Sequence, residues 1–115
     1  MFFNKALLAT AMLIGAVSAF TGTATLGFTG TTNCGCPATN GPFAVSIPSA
    51  LVGTHVCCDD SITLSYNGKT TSAIFNGIYD AGAGTDNIEL SSVAFAALED
   101  NPTQTTLSPV TWVFN

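Results

Sequence analysis

Four cysteines in two short clusters restrict this 115-residue chain more than any other feature. Cys34 and Cys36 sit in "NCGCP", and Cys57 and Cys58 sit in "HVCCDD". A zinc site calls for wider C-x₂-C spacing, which neither cluster has, and the adjacent Cys57 and Cys58 chelate one ion poorly. Disulfides are the expected state in an oxidising compartment. Bridges within each cluster need strained tight rings, so two cross-links between the clusters are expected. Both inter-cluster connectivities remain open at this level, with Cys34–Cys57 plus Cys36–Cys58 preferred. The first bridge closes a loop of roughly 20 residues and contributes on the order of 3 kcal/mol. For a small domain that is a large share of the total stability.

The N-terminus carries the matching address. Lys5 is followed by the apolar run "ALLATAMLIGAV" and by "VSA", the small-x-small form of a signal-peptidase site. The run is too short for a membrane span, which needs roughly 20 residues. Residues 1–19 are therefore read as a signal peptide and residues 20–115 as a single secreted domain, expected to be monomeric. No second apolar run is long enough for an anchor. Two lysines stand against seven acids, for a net charge of −5, and Lys69 is the only strong cation beyond the leader. Nucleic acid and acidic membrane are excluded as partners, because phosphate binding needs clustered Lys and Arg. An uncharged polymer or a protein fits better. No N-glycosylation sequon is present, and no Gly-rich phosphate loop opens a helix, so neither a nucleotide nor another cofactor is expected.

Between the cysteines and the C-terminus the chain reads as short strands separated by turns. Thr21–Phe28 alternates and is rich in β-branched residues, and Phe43–Ile47 is a strand stopped by Pro48. The stretch between them is a loop by its Gly, Pro and Asn content. "SALVG" suits one helical turn. Ser61–Tyr66 and Lys69–Phe75 flank Asn67-Gly68, a dipeptide that favours a tight hairpin. Asn87–Leu90 is a further strand. Ser91 or Ser92 then caps a short helix supported by Val93, Phe95, Ala96 and Leu98. Ser108–Phe114 closes the chain, with Val110, Trp112 and Phe114 on one face. Six strands and one or two short helices point to an all-β barrel, since closure removes exposed edges.

The order of motifs resembles a known family. "GTAT", "NCG", "FAVSIP", "VC", "ITLSYNGKT" and "NIELSSVAFAAL…VTWVF" follow one another as in the double-psi β-barrel domain. That domain occurs in rare lipoprotein A-like proteins, in the first domain of expansins and in the small expansin-like loosenins. Barwin and cerato-platanin proteins are more distant relatives. The resemblance implies a six-stranded double-psi β-barrel and matches Cys34–Cys57 to the family's usual bridge, with Cys36–Cys58 as an added one. It also implies two acidic groove positions. Glu89, in "IELS", matches one. Aligning on Tyr79 puts Gly77 where the other acid belongs, with Asn76 beside it, unless a shifted register lets Asp80 stand in. Leu26, Gly27 and Phe28 replace the family's aromatic pair.

Glycoside hydrolysis needs two carboxyl groups roughly 5 to 9.5 Å apart. Glu89 with Asp80, or Asp86 as a third candidate, are the weak catalytic prospects. The alternative is that Asp80 and Asp86 serve turns and Glu89 the first turn of the helix. The expected site is instead a ligand groove of Tyr79, Asp80, Glu89 and Asn76, binding cell-wall polysaccharide of cellulose or chitin type without hydrolysis. A protein-binding module, an effector or a protease inhibitor acting on a secreted or host protein, is the alternative. His55 has no marked nucleophile near it, Asp59 and Asp60 read as a solvated pair, and Trp112 reads as core.

Overall fold

The computed structural model describes residues 18–80 and 85–115. The signal-peptide reading falls almost wholly on residues 1–17, outside that set. In chain order the strands are β1 (Phe20–Leu26), β2 (Thr31–Asn33), β3 (Ala44–Ile47), β4 (Ser61–Tyr66), β5 (Lys69–Tyr79), β6 (Ile88–Leu90) and β7 (Thr106–Phe114). Helix α1 (Ser92–Leu98) lies between β6 and β7, and single 3₁₀ turns form at Ala38–Asn40 and Ser49–Leu51.

Six of these strands close a barrel. Neighbours run β5, β3, β6, β1, β7, β4, and β4 returns to pair with β5. β1 lies parallel to β6 and β3 parallel to β5, while the other contacts are antiparallel. These are the six strands that the alternating pattern predicts. β2 is a seventh, in the stretch read as loop, and it pairs with β5 alone. It exists because β5 runs on to Tyr79, past the expected end at Phe75, and offers Gly77–Tyr79 as a template.

The β4–β5 hairpin turns on Asn67 and Gly68, both at positive φ (52° and 85°), the conformation that the Asn-Gly pair is suited to supply. Inside the barrel, Trp112, Phe75, Phe95, Ile62, Leu64 and Leu90 are fully buried. Trp112 donates its indole N–H to the carbonyl of Asp86 at 2.9 Å, and the Phe20 ring stacks 4.5 Å from its centroid. The indole is a core group with its polar atom satisfied. A core of this kind stabilises by roughly 25 cal/mol per Å² of apolar surface removed from water.

Helix α1 differs from expectation in its buried face. Ala94, Phe95 and Leu98 point inward, whereas Val93 is 37% exposed and Ala96 lies on the outer side. Ser91 occupies the N-cap, yet its hydroxyl accepts the N–H of Ala44 on β3 instead of a helix N–H. The cap residue thus ties the helix start to the barrel.

At the other helix end, Lys69 donates to the carbonyls of Glu99 (3.0 Å) and Leu98 (3.5 Å) and pairs with Asp100 at 2.7 Å. A cation there complements the helix dipole and the unpaired carbonyls. The Asp100 carboxyl is held below its ordinary value by the Lys69 hydrogen bond and, next, by that from Asn67. Because the folded value is depressed, the pair's contribution is present above the ordinary carboxylate range and fades as pH falls through the lowered value. Titration of Asp100 followed by NMR should show a midpoint below 3.8, and Lys69→Met should move it upward.

Candidate functional site

The register brings the candidate acid position and its expected partner into one row. Glu89 on β6 pairs with Ser46 on β3 and with Thr25 on β1. Ser46 pairs in turn with Gly77 on β5, and Gly77 with Asn33 on β2. Register partners share a face of a sheet, so Gly77 and Glu89 flank Ser46. The position that the motif order assigns to a second acid is therefore in the right place, but it carries no side chain. Nor is there room for one. A β-carbon at Gly77 would lie 2.6 Å from the Thr31 methyl and 2.8 Å from the Ser46 hydroxyl.

Glu89 itself is buried, at 1% exposure. Its carboxyl oxygens accept hydrogen bonds from the Thr31 hydroxyl (2.6 Å), the Gly30 N–H (3.3 and 3.4 Å) and the Thr29 hydroxyl (3.4 Å). All three donors come from the segment that leads into β2. Among the described residues the pairing is with neutral donors, which satisfy the buried oxygens that would otherwise be costly to leave unpaired. The Thr29–Thr31 segment is thereby latched to β6. It is the part of the site that sequence reasoning missed: the Thr-Gly-Thr-Thr run carries a turn signal, and nothing in it points to a glutamate some 60 residues later.

Tyr79 converges on the same place. A side chain at Gly30 would start 3.0 Å from Tyr79 Cε1 and 3.9 Å from Glu89 Oε1, so the phenol ring and the carboxyl group meet around that glycine. Asn76 reaches Ser46, the β3 register partner of Glu89, its side-chain oxygen accepting from the Ser46 hydroxyl at 3.2 Å. Asp80 serves a different structure. Its carboxylate accepts the N–H of Ser49 at 2.8 Å and the Ser49 hydroxyl at 2.9 and 3.0 Å, which caps the Ser49–Leu51 turn. The structure brings Tyr79 and Glu89 to the same glycine, puts Asn76 on Ser46, and occupies Asp80 elsewhere.

The remaining candidates have structural partners. His55 stacks on Phe114 with centroids 3.6 Å apart, and its Nδ1 lies 3.2 Å from Asp60. Asp60 also accepts the Val56 N–H at 2.8 Å, so its carboxylate organises the second cysteine loop. Asp59 is exposed, and Asp86 contributes its backbone carbonyl to Trp112. Two bridges join Cys34 to Cys57 and Cys36 to Cys58. The sulfurs of Cys36, Cys57 and Cys58 lie within 4.8 Å of one another because those bridges hold them there.

The hydrogen bonds to Glu89 give a direct prediction. Glu89→Gln keeps the size but replaces one accepting oxygen by an NH₂ group, so the hydroxyl facing it must turn to accept and the charge-assisted bonds are lost. A loss of roughly 1–3 kcal/mol is expected, read by urea denaturation, with faster amide exchange at Gly30. Unchanged exchange would show that the latch does not hold the segment.

No family model and no curated protein matches the chain. Solved structures do. The chain is similar to Streptomyces papain inhibitor, with 27% identity over 84% of this chain and 94% of that one, at a TM-score of 0.65. It is also similar to the apo form of the Clavibacter michiganensis expansin (21% identity, 85% of this chain, TM-score 0.65). A mutant of that expansin in complex with cellohexaose matches at 20% identity over 85% of this chain, with a TM-score of 0.60. The chain spans half the length of the expansin, against nearly all of the inhibitor. With its closed mixed barrel, one α-helix among the described residues and two bridges, the chain has the double-psi β-barrel fold that the order of its sequence motifs implies.

Proposed function

We propose that this chain is a secreted binding protein without hydrolytic chemistry, and that its partner is a protein, in the manner of an inhibitor of a papain-type protease. The observation that carries this reading is the sealed acid. Glu89 is 1% exposed and spends its oxygens on Thr29, Gly30 and Thr31, while its opposite number is Gly77. A carboxyl pair for acid–base work across a sugar bond is missing. What stays accessible is a surface around two disulfides whose charges are the carboxylates of Asp59 and Asp60. The similarity to a papain inhibitor along nearly its whole length supports the same partner class. Residues 1–19 are the proposed signal peptide and residues 20–115 the working domain, in keeping with bridges that need an oxidising compartment.

A second reading is binding of neutral wall polysaccharide. It is favoured by Tyr79, whose ring lies beside the candidate groove with Asn76, and by the resemblance to an expansin that has been seen with cellohexaose. One experiment separates the two. The protein secreted from its full-length gene is titrated against papain and, in parallel, mixed with cellulose and chitin. Inhibition without retention on the polymers supports the first reading. Retention without inhibition transfers the assignment to the second, through Tyr79 and its neighbours. Release of reducing ends from either polymer would overturn both.

A further inference from the structure

We propose that the open edge of β2, with the segment Asn33–Pro37 that continues it, is the part of this protein that enters the substrate cleft of a papain-type protease. The proposal rests on the protein-binding reading above and gives it a surface. Each strand of the closed barrel has a neighbour on both sides, whereas β2 has only β5. Among the described strands it is the one with a partner strand on a single side along its whole length. An open edge is a template for an added strand, and backbone pairing of this type is a common way of binding extended peptide.

The hydrogen bonding shows which groups face outward. The N–H of Cys34 is bonded inward, to the carbonyl of Asn76 at 2.9 Å. Successive residues of a strand turn their backbone groups to opposite edges, so those of Asn33 face the open side. Thr32, Asn33, Cys34 and Gly35 are all exposed. Gly35 sits at φ 74° with nothing within 4 Å of where a side chain would stand, and Pro37 continues in extended geometry at φ −65°, ψ 148°. The result is a narrow protruding segment without bulk at its tip.

The bridges make that segment stiff. Cys34 and Cys36 lie on either side of Gly35 and are tied to the consecutive residues Cys57 and Cys58. Asn33 adds a further restraint by accepting the Gly35 N–H on its side-chain oxygen at 3.1 Å. A segment already held in its bound shape loses little conformational entropy on docking, which is the general advantage of preorganisation. Its chemistry also suits a cleft that receives peptide backbone. Asn33–Pro37 itself carries no Asp, Glu, Lys or Arg, so the inserted residues strand no charge, and the acids next to the bridges, Asp59 and Asp60, lie on the other cysteine loop.

The test uses the full-length gene product as secreted, with papain and a fluorogenic peptide substrate. Two variants disturb the edge. Thr32→Lys places a charge on an exposed side chain, and Asn33→Pro removes the outward N–H, a change that edge strands tolerate. Thr111→Lys, on the exposed face of β7, is the control. Competitive inhibition by the wild type is expected, weakened at least about tenfold in each edge variant and unchanged in the control. If Asn33→Pro does not fold, Thr32→Lys decides alone. Folded edge variants that inhibit like the wild type would overturn the proposal and leave the protein-binding reading standing. A wild type that leaves papain untouched would overturn both. A wild-type dimer that Thr32→Lys dissociates, with no inhibition, would assign the edge to a second copy of the chain and overturn the proposal.

Discussion

Replacing Cys34 and Cys57 together by serine is expected to lower stability by about 3 kcal/mol, and replacing all four cysteines by about 3–5 kcal/mol. The two bridges have sequence separations of 23 and 22 and close nearly the same loop. Once one bridge restricts the unfolded chain, the second has less freedom left to remove, so the two effects are less than additive. For a domain whose whole stability is of order 5–15 kcal/mol, either change is severe. At roughly 4–8 °C per kcal/mol for a chain of this size, the melting temperature of the first variant should fall by more than about 10 °C. Thermal unfolding followed by circular dichroism reads it, and a fall of only a degree or two would show that the cysteine loop is uncoupled from the barrel. Coupling is expected, because the Cys58 N–H bonds to the carbonyl of Phe75 at 2.7 Å and Cys57 packs against the core. The same variants loosen Asn33–Pro37, so the papain inhibition proposed above should weaken even at temperatures where the barrel remains folded.

Trp112→Ala is expected to cost about 3–5 kcal/mol, the range for emptying a large aromatic site. The indole is fully buried and touches two other rings, Phe20 at 4.5 Å and Phe114 at 6.3 Å between centroids. Its loss leaves a cavity that three strands of a closed barrel cannot collapse into without breaking ladder bonds. Trp112→Phe separates the packing from the polar contact. It keeps most of the apolar contact but leaves the Asp86 carbonyl without the indole donor, and a smaller loss of roughly 0.5–1.5 kcal/mol is expected. Urea denaturation of both variants gives the comparison. Equal losses would mean that the Asp86 bond, not the ring, is what the barrel depends on.

The longer barrel strands were legible because they show a period of two, as in Ile62, Leu64 and Tyr66 or Val110, Trp112 and Phe114, while the three-residue β6 was legible as apolar residues between a turn and the helix cap. The hairpin turn was legible because Asn67-Gly68 has a backbone preference of its own. β2 was not. Three residues between glycines show no period, and its pairing depends on how far β5 extends. The helix was visible but its face was not, since the run "SVAFAAL" is apolar nearly all round and only the barrel selects Ala94, Phe95 and Leu98.

The site divides along the same line. Residue types and their order, taken alone, determined that the chain builds a small barrel with two inter-cluster bridges and that it lacks the cations for nucleic acid. These follow from local preference, charge and the chemistry of cysteine, all carried by neighbouring residues. That the Glu89 carboxyl is closed off by Thr29, Gly30 and Thr31, that Asp80 caps the Ser49 turn, and that β2 keeps one free edge beside the bridges were decided only by the tertiary structure. Each depends on groups 30 to 60 residues apart meeting at hydrogen-bond distance, and strand register, which no local pattern encodes, is what brings them together.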